Sequence, residues 1–405
     1  MRQGFFTVSE MHSGEEPESN IPKCGVCGLW RQCNTPKMKV SGQGRKDILI
    51  VGEAPDKTED RRGLAFAGKA AQRLENQLQA FGIDLQQDCY TTNALICRPA
   101  DNRDPTKKEI KYCRPNVVNT IAKIKPKLII PLGRFGISST LKNIWKEEPG
   151  DGRRWVGWSI PSTELNAWVC PTWHPSFIDK TIEKKRHVAI QWRQHLEAAC
   201  KHTSRPWEKP PKYEDDVTVI LDHVKAAKAI DWIVKQGGPA SFDYECNCIK
   251  PETPGAEIVA ASICWQGKRT IAFPWHGDAV KAFKRFVQSP MPKYGFNIKF
   301  EERWTRRVLQ IVVANWHWCG MLGAHAIDNR REICSLNFQA FVHCGQSPYD
   351  KHIKRFLRSK RGSMLNRVRD INIHHLLTYN GLDSLLTFDV AVKQMKQMGY
   401  HAPNP

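Results

Sequence analysis

The sequence predicts two α/β domains in series: a parallel sheet with helices on both faces, then a mixed sheet with a helical second part. Three observations carry this. Through the first half, apolar runs alternate with helical patterns, as the βα units of a parallel sheet do. Residues 202–216 hold three prolines and no apolar periodicity, which is the composition of a linker. Beyond them, three strand-like runs follow one another closely before helical patterns take over.

In chain order, residues 1–20 are polar and acidic, with Phe5-Phe6 as their one apolar pair. They read as a flexible lead-in and not as a signal peptide. Residues 21–201 form the first domain, with strands near 47–52, 90–96, 127–132 and 167–172 and helices near 68–81, 106–124, 134–146 and 187–200. After the linker, residues 217–405 form the second domain. It opens with a strand at 217–221 and a helix at 223–236, followed by strands at 240–245, 257–265 and 269–273 and then mostly helices. No internal repeat is visible.

The 405 residues carry 61 Lys+Arg against 41 Asp+Glu, a formal net charge of +20. A surplus of that size favours a polyanionic partner, and nucleic acid is the commonest. Residues 351–369 concentrate eight Lys/Arg with no acid, a solvated helix face or a phosphate contact. No apolar run approaches the roughly 18 residues that span a membrane. The 14 cysteines, in paired spacings and without a secretion signal, argue for a reducing compartment such as the cytoplasm of a bacterial or archaeal cell.

The motifs of the first domain fall in a fixed order. Cys24 and Cys27 form a Cys-x-x-Cys, and Cys97 and Cys113 each open a Cys-Arg-Pro. Between the pairs, Ile48-Leu-Ile-Val-Gly52-Glu53-Ala54-Pro55 is a buried strand that delivers Glu53 to the loop past its carboxyl end, where open α/β sheets bind ligands. Then come Glu59-Asp60, Gly63-Leu-Ala65-Phe66-Ala-Gly68, Thr92-Asn93, residues 102–105 (Asn-Arg-Asp-Pro) and His174-Pro-Ser176. Four thiolates suit an iron–sulfur cubane or a zinc ion, and Cys33 is a further candidate ligand.

This series resembles the family 4 uracil-DNA glycosylases over about 150 residues. The resemblance implies a [4Fe–4S] cluster on Cys24, Cys27, Cys97 and Cys113, tying the N-terminal segment and the loop after Asn93 to the core. It also implies uracil-containing DNA as substrate, with the base flipped into a pocket. Phe66 would be the stacking ring, and Asn93 would read the pyrimidine edge. Glu59 would complete the substrate-binding loop, and Glu53 would be the water-side residue. His174 would face the uracil anion, and Ser176 would bind a backbone phosphate. Two positions depart from the family pattern: Asp56 replaces a glycine and Ala65 a proline. Asp56 adds negative charge near the entering phosphate, which opens a second reading, a module that binds uracil in DNA without cleaving it.

In the second domain, Asp243 and Glu245 stand at i and i+2 of a strand and so share one face. Two carboxylates there are costly unless they bind cations, and a two-metal phosphodiester site needs such a pair. Downstream, Tyr379 and Asp383 stand at i and i+4 on one helix face. Between them, Gly295-Phe-Asn297-Ile-Lys-Phe300-Glu301 opens a helix. These three segments resemble the DEDD 3′–5′ exonucleases of the tyrosine branch, as in the proofreading domains of family A DNA polymerases. Asp328-Asn-Arg330 and residues 335–339 look like the phage members. The resemblance implies a ribonuclease H-like fold and two divalent ions, Mg²⁺ or Mn²⁺, held by Asp243, Glu245, Glu301 and Asp383, with Tyr379 orienting the attacking water. Glu301 stands where the family has an aspartate, and Glu302 is its neighbouring alternative. A bifunctional enzyme, phage-like in its domain pairing, is the combined expectation.

Overall fold

The computed structural model describes residues 21–145, 147–150, 152–204, 208–267, 269–359 and 362–401. The expected lead-in at 1–20 and residues 205–207 of the expected linker lie outside the described residues. The chain divides into two compact units, the first ending at Pro210 and the second beginning at Pro211, with Gly345–Ser347 grouped with the first.

The first unit is built on β1 (Ile48–Gly52), β2 (Cys89–Asn93), β3 (Leu128–Pro131), β4 (Ile160–Ser162) and β5 (Ala167–Val169), in the order β2-β1-β3-β5-β4. The first four strands of that order are mutually parallel, and β4 runs antiparallel to β5 at the edge. This edge strand departs from the all-parallel expectation. It is three residues long and contains Pro161, so it shows no alternation, and proline is tolerated there because an edge leaves its missing N–H unneeded.

Its helices are α1 (Cys24–Cys27), α2 (Lys57–Arg62), α3 (Lys69–Gln79), α4 (Lys107–Ile124), α5 (Gly133–Trp145), α6 (Pro175–Thr181) and α7 (Arg186–Cys200). The four long ones coincide with the helical periodicities. The three short ones are too brief to show a 3.6-residue period and are set by their caps. In α2, Asp56 accepts from the amides of Thr58 (2.7 Å) and Glu59 (2.8 Å) while Glu59 reaches back to the Asp56 amide; such a cap is worth about 1 kcal/mol. Ile48 and Ile50 of β1 pack with Leu74 and Leu78 of α3, Ile178 of α6 and Trp192 of α7. The opposite face of β1 is covered by α5. Both faces being covered, β1 reads as an unbroken apolar run.

The second unit contains β6 (Val217–Val219), β7 (Ala240–Cys246), β8 (Ile258–Trp265), β9 (Arg269–Pro274), β10 (Lys293–Gly295) and β11 (Trp316–Cys319), in the order β11-β10-β7-β8-β9-β6. β7, β8 and β9 form an antiparallel meander. β10 and β11 then continue parallel to β7, and β6 lies parallel to β9. This is a ribonuclease H-like mixed sheet. The short β10 and β11 fall in the part where mostly helices were expected.

The helices of this unit are α8 (His223–Gln236), α9 (Gly277–Gln288), α10 (Ile298–Leu309), α11 (Gly320–Ile327), α12 (Leu336–Cys344) and α13 (Ile373–Gln397). Strand β7 sorts its side chains by parity. Phe242, Tyr244 and Cys246 join the core of Ile230, Phe283, Phe286 and Trp304. On the other face, Ser241 Oγ donates to the Ser384 carbonyl of α13 at 2.6 Å, so Asp243 and Glu245 look toward that helix. No helix among the described residues is long and apolar enough to cross a membrane.

Candidate active sites

In the first unit, the expected site residues collect at the carboxyl ends of the parallel strands. Asn93 ends β2, Glu53 follows β1, and His174 lies beyond β5 as the N-cap of α6. The chain passes from β1 to β2 on one side, whereas β3 lies on the other; such a reversal opens a crevice at the strand ends. Two glycines let the side chains converge there. A Cβ added to Gly52 would stand 2.9 Å from Phe66 Cζ and well inside 3.0 Å of Asn93 Oδ1. One added to Gly133 would stand 2.6 Å from Glu53 Oε1 and 2.8 Å from His174 Cβ. Ring and amide thus share one bare stretch of backbone, and the Glu53 carboxylate and the base of the His174 side chain share the other. The Leu132 amide donates to the Val51 carbonyl at 2.8 Å and Leu132 bridges to Thr172, which keeps the stretches adjacent.

Gly133 was not among the expected residues. Its φ of +70° is a region glycine enters without steric penalty, and its one sequence signal is a glycine directly past an apolar strand.

Two expected substrate contacts are directed elsewhere. Glu59 turns inward: its Oε2 accepts from the Asp56 amide (2.8 Å), and the carboxylate also faces the amides of Phe66 and Ala67. It therefore holds the loop on which Phe66 sits at φ +57°, a conformation uncommon for a bulky residue. Ser176 was expected on a phosphate, but its Oγ lies 2.8 Å from His174 Nδ1. The Ser176 amide donates to the same nitrogen at 3.3 Å. Nδ1 is therefore the acceptor, and the neutral ring carries its proton on Nε2. Burial pushes the His174 pKa down to about 4, so the ring stays neutral near pH 7. Burial pushes the Glu53 carboxyl above its ordinary range, against the Phe135 amide that donates to its Oε1 at 3.3 Å. Asp56, at the departure from the family glycine, has its carboxylate engaged in the α2 cap.

Cys24 and Cys27 on α1, Cys97 past β2 and Cys113 on α4 line one cavity with Leu29, Trp30, Leu95, Ile96 and Tyr112. The Lys37 amide donates to Cys97 Sγ and Asn116 Nδ2 to Cys113 Sγ, both at 3.3 Å. Burial raises the Cys97 thiol to about 12 and Cys113 to about 11. The sulfurs are not drawn tightly together: no group of three cysteines among the described residues has its sulfurs mutually within 4.8 Å. Asp60 ties this segment down, accepting from the Asn34 (3.1 Å) and Thr35 (2.8 Å) amides.

In the second unit, Asp243 and Glu245 of β7 and Asp383 of α13 bring carboxylate oxygens within 4.8 Å of one another. Glu301, in the first turn of α10, lies outside that group of three; it is buried, with Oε2 lacking any hydrogen-bond partner, and near enough for its charge to act on Asp243. Glu302 is committed elsewhere, to Arg306 (2.6 Å), Trp316 Nε1 (3.0 Å) and the Val313 amide (3.3 Å). Burial, reinforced by the charges of Asp383 and Glu301, holds Asp243 well above the usual carboxylate range. Burial does the same to Glu245 and Glu301 and pushes Asp383 up to about 7. Packed acids with an orphaned oxygen are a donor set that fits hard divalent cations.

Two neighbours hold these acids. Asn380 Nδ2 donates to Asp243 Oδ2 at 2.8 Å, and the Tyr349 hydroxyl donates to Asp383 Oδ1. Tyr379, one helical turn before Asp383, lies with its ring centroid 5.5 Å from that of Tyr349. No sequence motif marks Tyr349. Of the basic run, Arg369 pairs with Glu257, and Lys354 Nζ lies 3.8 Å from Asp350.

Residues 40–196 match the family described as the uracil DNA glycosylase superfamily. A type-4 uracil-DNA glycosylase of Saccharolobus solfataricus is 37% identical over 164 residues, covering 38% of this chain and 72% of that protein. The corresponding enzyme of Thermotoga maritima is 33% identical over 176 residues, or 42% of this chain and 85% of that protein. A DNA polymerase of Bacillus phage SP01 is 33% identical over 353 residues, 79% of this chain and 37% of that protein, a span that reaches into both units.

Proposed function

Because the chain belongs, through its first unit, to the type-4 uracil-DNA glycosylase family, we propose that it excises uracil from DNA and that its second unit removes nucleotides from 3′ ends. The observation that carries the first half is the convergence of Phe66 and Asn93 on Gly52 beside Glu53 and His174 on Gly133. A flipped uracil stacks on the Phe66 ring, and the Asn93 amide reads its edge with one donor and one acceptor. His174 Nε2–H donates to the oxygen on which negative charge develops as the glycosidic bond breaks, a stabilisation preorganised and costing no rearrangement. Glu53, as the carboxylate, orients water toward the sugar carbon. Glu59 and Ser176 act behind Phe66 and His174.

The four cysteines lining one cavity, with N–H donors on two sulfurs, support a [4Fe–4S] cluster as a structural tie. In the second unit, Asp243, Glu245, Glu301 and Asp383 would hold two Mg²⁺ or Mn²⁺ ions, whose charge would stabilise the attacking and leaving oxygens of phosphodiester hydrolysis. Tyr379 orients the water. The net charge of +20 supports DNA as the partner. Fourteen cysteines, all free, support a reducing compartment, the cytoplasm of a bacterial or archaeal cell. The likeness to a phage polymerase across both units supports a phage origin.

The test is a gel assay on 5′-labelled single-stranded DNA carrying one uracil, in EDTA or Mg²⁺, before and after hot alkali. An alkali-dependent break at the uracil in EDTA is the expected glycosylase result, and no break would refute that half. Shortening from the 3′ end with Mg²⁺ alone is the expected nuclease result, and an undegraded strand would refute the other.

A further inference from the structure

We propose that Tyr349 is a positioning residue of the acid site: its hydroxyl fixes Asp383 so that one carboxylate oxygen faces the ions and the Tyr379 hydroxyl is left for water. The inference rests on the two-metal reading above and extends it to a residue outside the three acid-bearing segments.

A carboxylate that ligates a metal through one oxygen rotates freely unless the other oxygen is held, and outer hydrogen-bond donors supply that hold. The site contains two such donors, arranged alike. Asn380 Nδ2 holds Asp243 Oδ2 at 2.8 Å, and the Tyr349 hydroxyl holds Asp383 Oδ1. Asn380 leaves the other oxygen of Asp243 uncommitted, and at Asp383 the second phenol within reach is Tyr379. The two acids belong to the cluster in which one oxygen of each lies within 4.8 Å of the others, so both carboxylates face one centre. Asn380 sits on α13 itself, whereas Tyr349 arrives from the segment after α12, packed against the Leu382, Leu385 and Leu386 side of α13.

The second argument concerns the two phenols. Tyr379 stands four residues before Asp383 on the same helix, and its phenol can reach the same carboxylate. If Asp383 depended on Tyr379 for its orientation, that hydroxyl could not also orient water. Tyr349 takes Oδ1, and the 5.5 Å, 46° tilted contact between the rings sets the two phenols side by side at the same carboxylate. One phenol therefore serves the ligand and the other the nucleophile. Tyr349→Phe and Tyr379→Phe should then fail in different ways.

The experiment uses the full chain and three variants: Tyr349→Phe, Tyr349→Leu and Tyr379→Phe. Mn²⁺ binding is read by the EPR signal of free Mn²⁺, and 3′-end shortening of 5′-labelled DNA is followed across an Mg²⁺ titration. Tyr349→Phe is expected to weaken Mn²⁺ binding by about 10-fold or more, the usual loss for an outer donor, and to raise the half-saturating Mg²⁺ by a similar factor. Its rate at saturating Mg²⁺ should stay within about threefold of wild type, a small change on the free-energy scale. Tyr379→Phe should do the reverse, binding Mn²⁺ normally and losing rate at saturation. Tyr349→Leu should weaken Mn²⁺ no further than Tyr349→Phe while lowering the melting temperature. Mn²⁺ binding by Tyr349→Phe equal to wild type overturns the proposal, as does Leu weakening Mn²⁺ where Phe does not, which would make the role one of packing. If the wild-type chain binds Mn²⁺ but shortens no strand, the nuclease reading fails while the Mn²⁺ titration still decides the role of Tyr349.

Discussion

Replacing Gly52 by alanine should abolish most uracil excision without altering any of the side chains assigned to the chemistry. Gly52 closes β1, paired in register with Asn93 of β2, and its φ is not positive, so an alanine backbone is allowed there. The added methyl is the whole perturbation. It would stand 2.9 Å from Phe66 Cζ, where carbon atoms settle at about 3.5–4.0 Å, and closer still to Asn93 Oδ1. Neither neighbour yields easily. The Asn93 backbone is fixed by the β1–β2 ladder, and the Phe66 loop is pinned by Glu59.

The amide and the ring must therefore retreat by an amount on the order of 1 Å, and a misplacement of about 1 Å costs about 100-fold in rate. That factor is about 2.7 kcal/mol of barrier at 1.36 kcal/mol per decade. Overpacking of this kind destabilises by about 1–3 kcal/mol, which leaves a domain of this size folded. The assay is single-turnover excision from uracil-bearing oligonucleotide in EDTA, with alkali cleavage as readout. Metal-dependent 3′ shortening by the same preparation reports on the second unit. Excision by Gly52→Ala within about threefold of wild type would refute the convergence of Phe66 and Asn93 as the base pocket.

Three further outcomes follow from the same geometry. His174→Ala should lower excision about 10²–10³-fold, the usual effect of losing a donor aimed at developing charge; single-turnover rates at saturating enzyme check it. The rate of excision should rise with pH through a Glu53 pKa lying above the ordinary carboxylate value, since the ionised form is the active one and burial raises that pKa. No second step from His174 should appear until about pH 4, and a pH–rate profile from 4 to 9 decides both. In the second unit the folded-state pKa values of Asp243, Glu245, Glu301 and Asp383 lie above their unfolded values. These groups therefore favour the fold when protonated, and that contribution is lost as pH rises through the folded values, about 7 for Asp383. Without ions, the melting temperature of this unit should fall from pH 5 to pH 8, and Mn²⁺ should restore more at pH 8 than at pH 5; thermal scans with and without Mn²⁺ read both.

The long elements were legible because they carry a period. β1 is an apolar run bounded by glycine, α3, α4, α5 and α7 are long amphipathic helices, and β7 alternates, so Asp243 and Glu245 were correctly placed on one face. What escaped was short or was made by contact alone. β4, β10 and β11 span three or four residues, too few for alternation to register, and they exist because neighbouring strands offer them edges. In the sites, residue order located the loops but not the direction of each side chain. Glu59 and Ser176 stand beside the pocket in sequence, yet backbone amides and an imidazole claim their oxygens. Gly133 and Tyr349 belong to no spacing pattern. One matters for the space it leaves, the other for a hydrogen bond formed between distant segments.

The two sites also differ in what their own side chains complete. At the first, the Ser176 amide fixes the tautomer of a neutral His174, and the Phe135 amide meets Glu53. Under the proposed reaction, the donor toward the leaving base is in place before substrate arrives. At the second, four buried acids repel one another and Glu301 Oε2 has no partner. That arrangement opposes ionisation of the acids in the folded state at neutral pH, and bound cations would relieve it. Chelation should therefore separate the two proposed activities by physical cause. It should leave intact a site whose one carboxylate, Glu53, meets a backbone amide, and take from the other the charge that its gathered acids would hold.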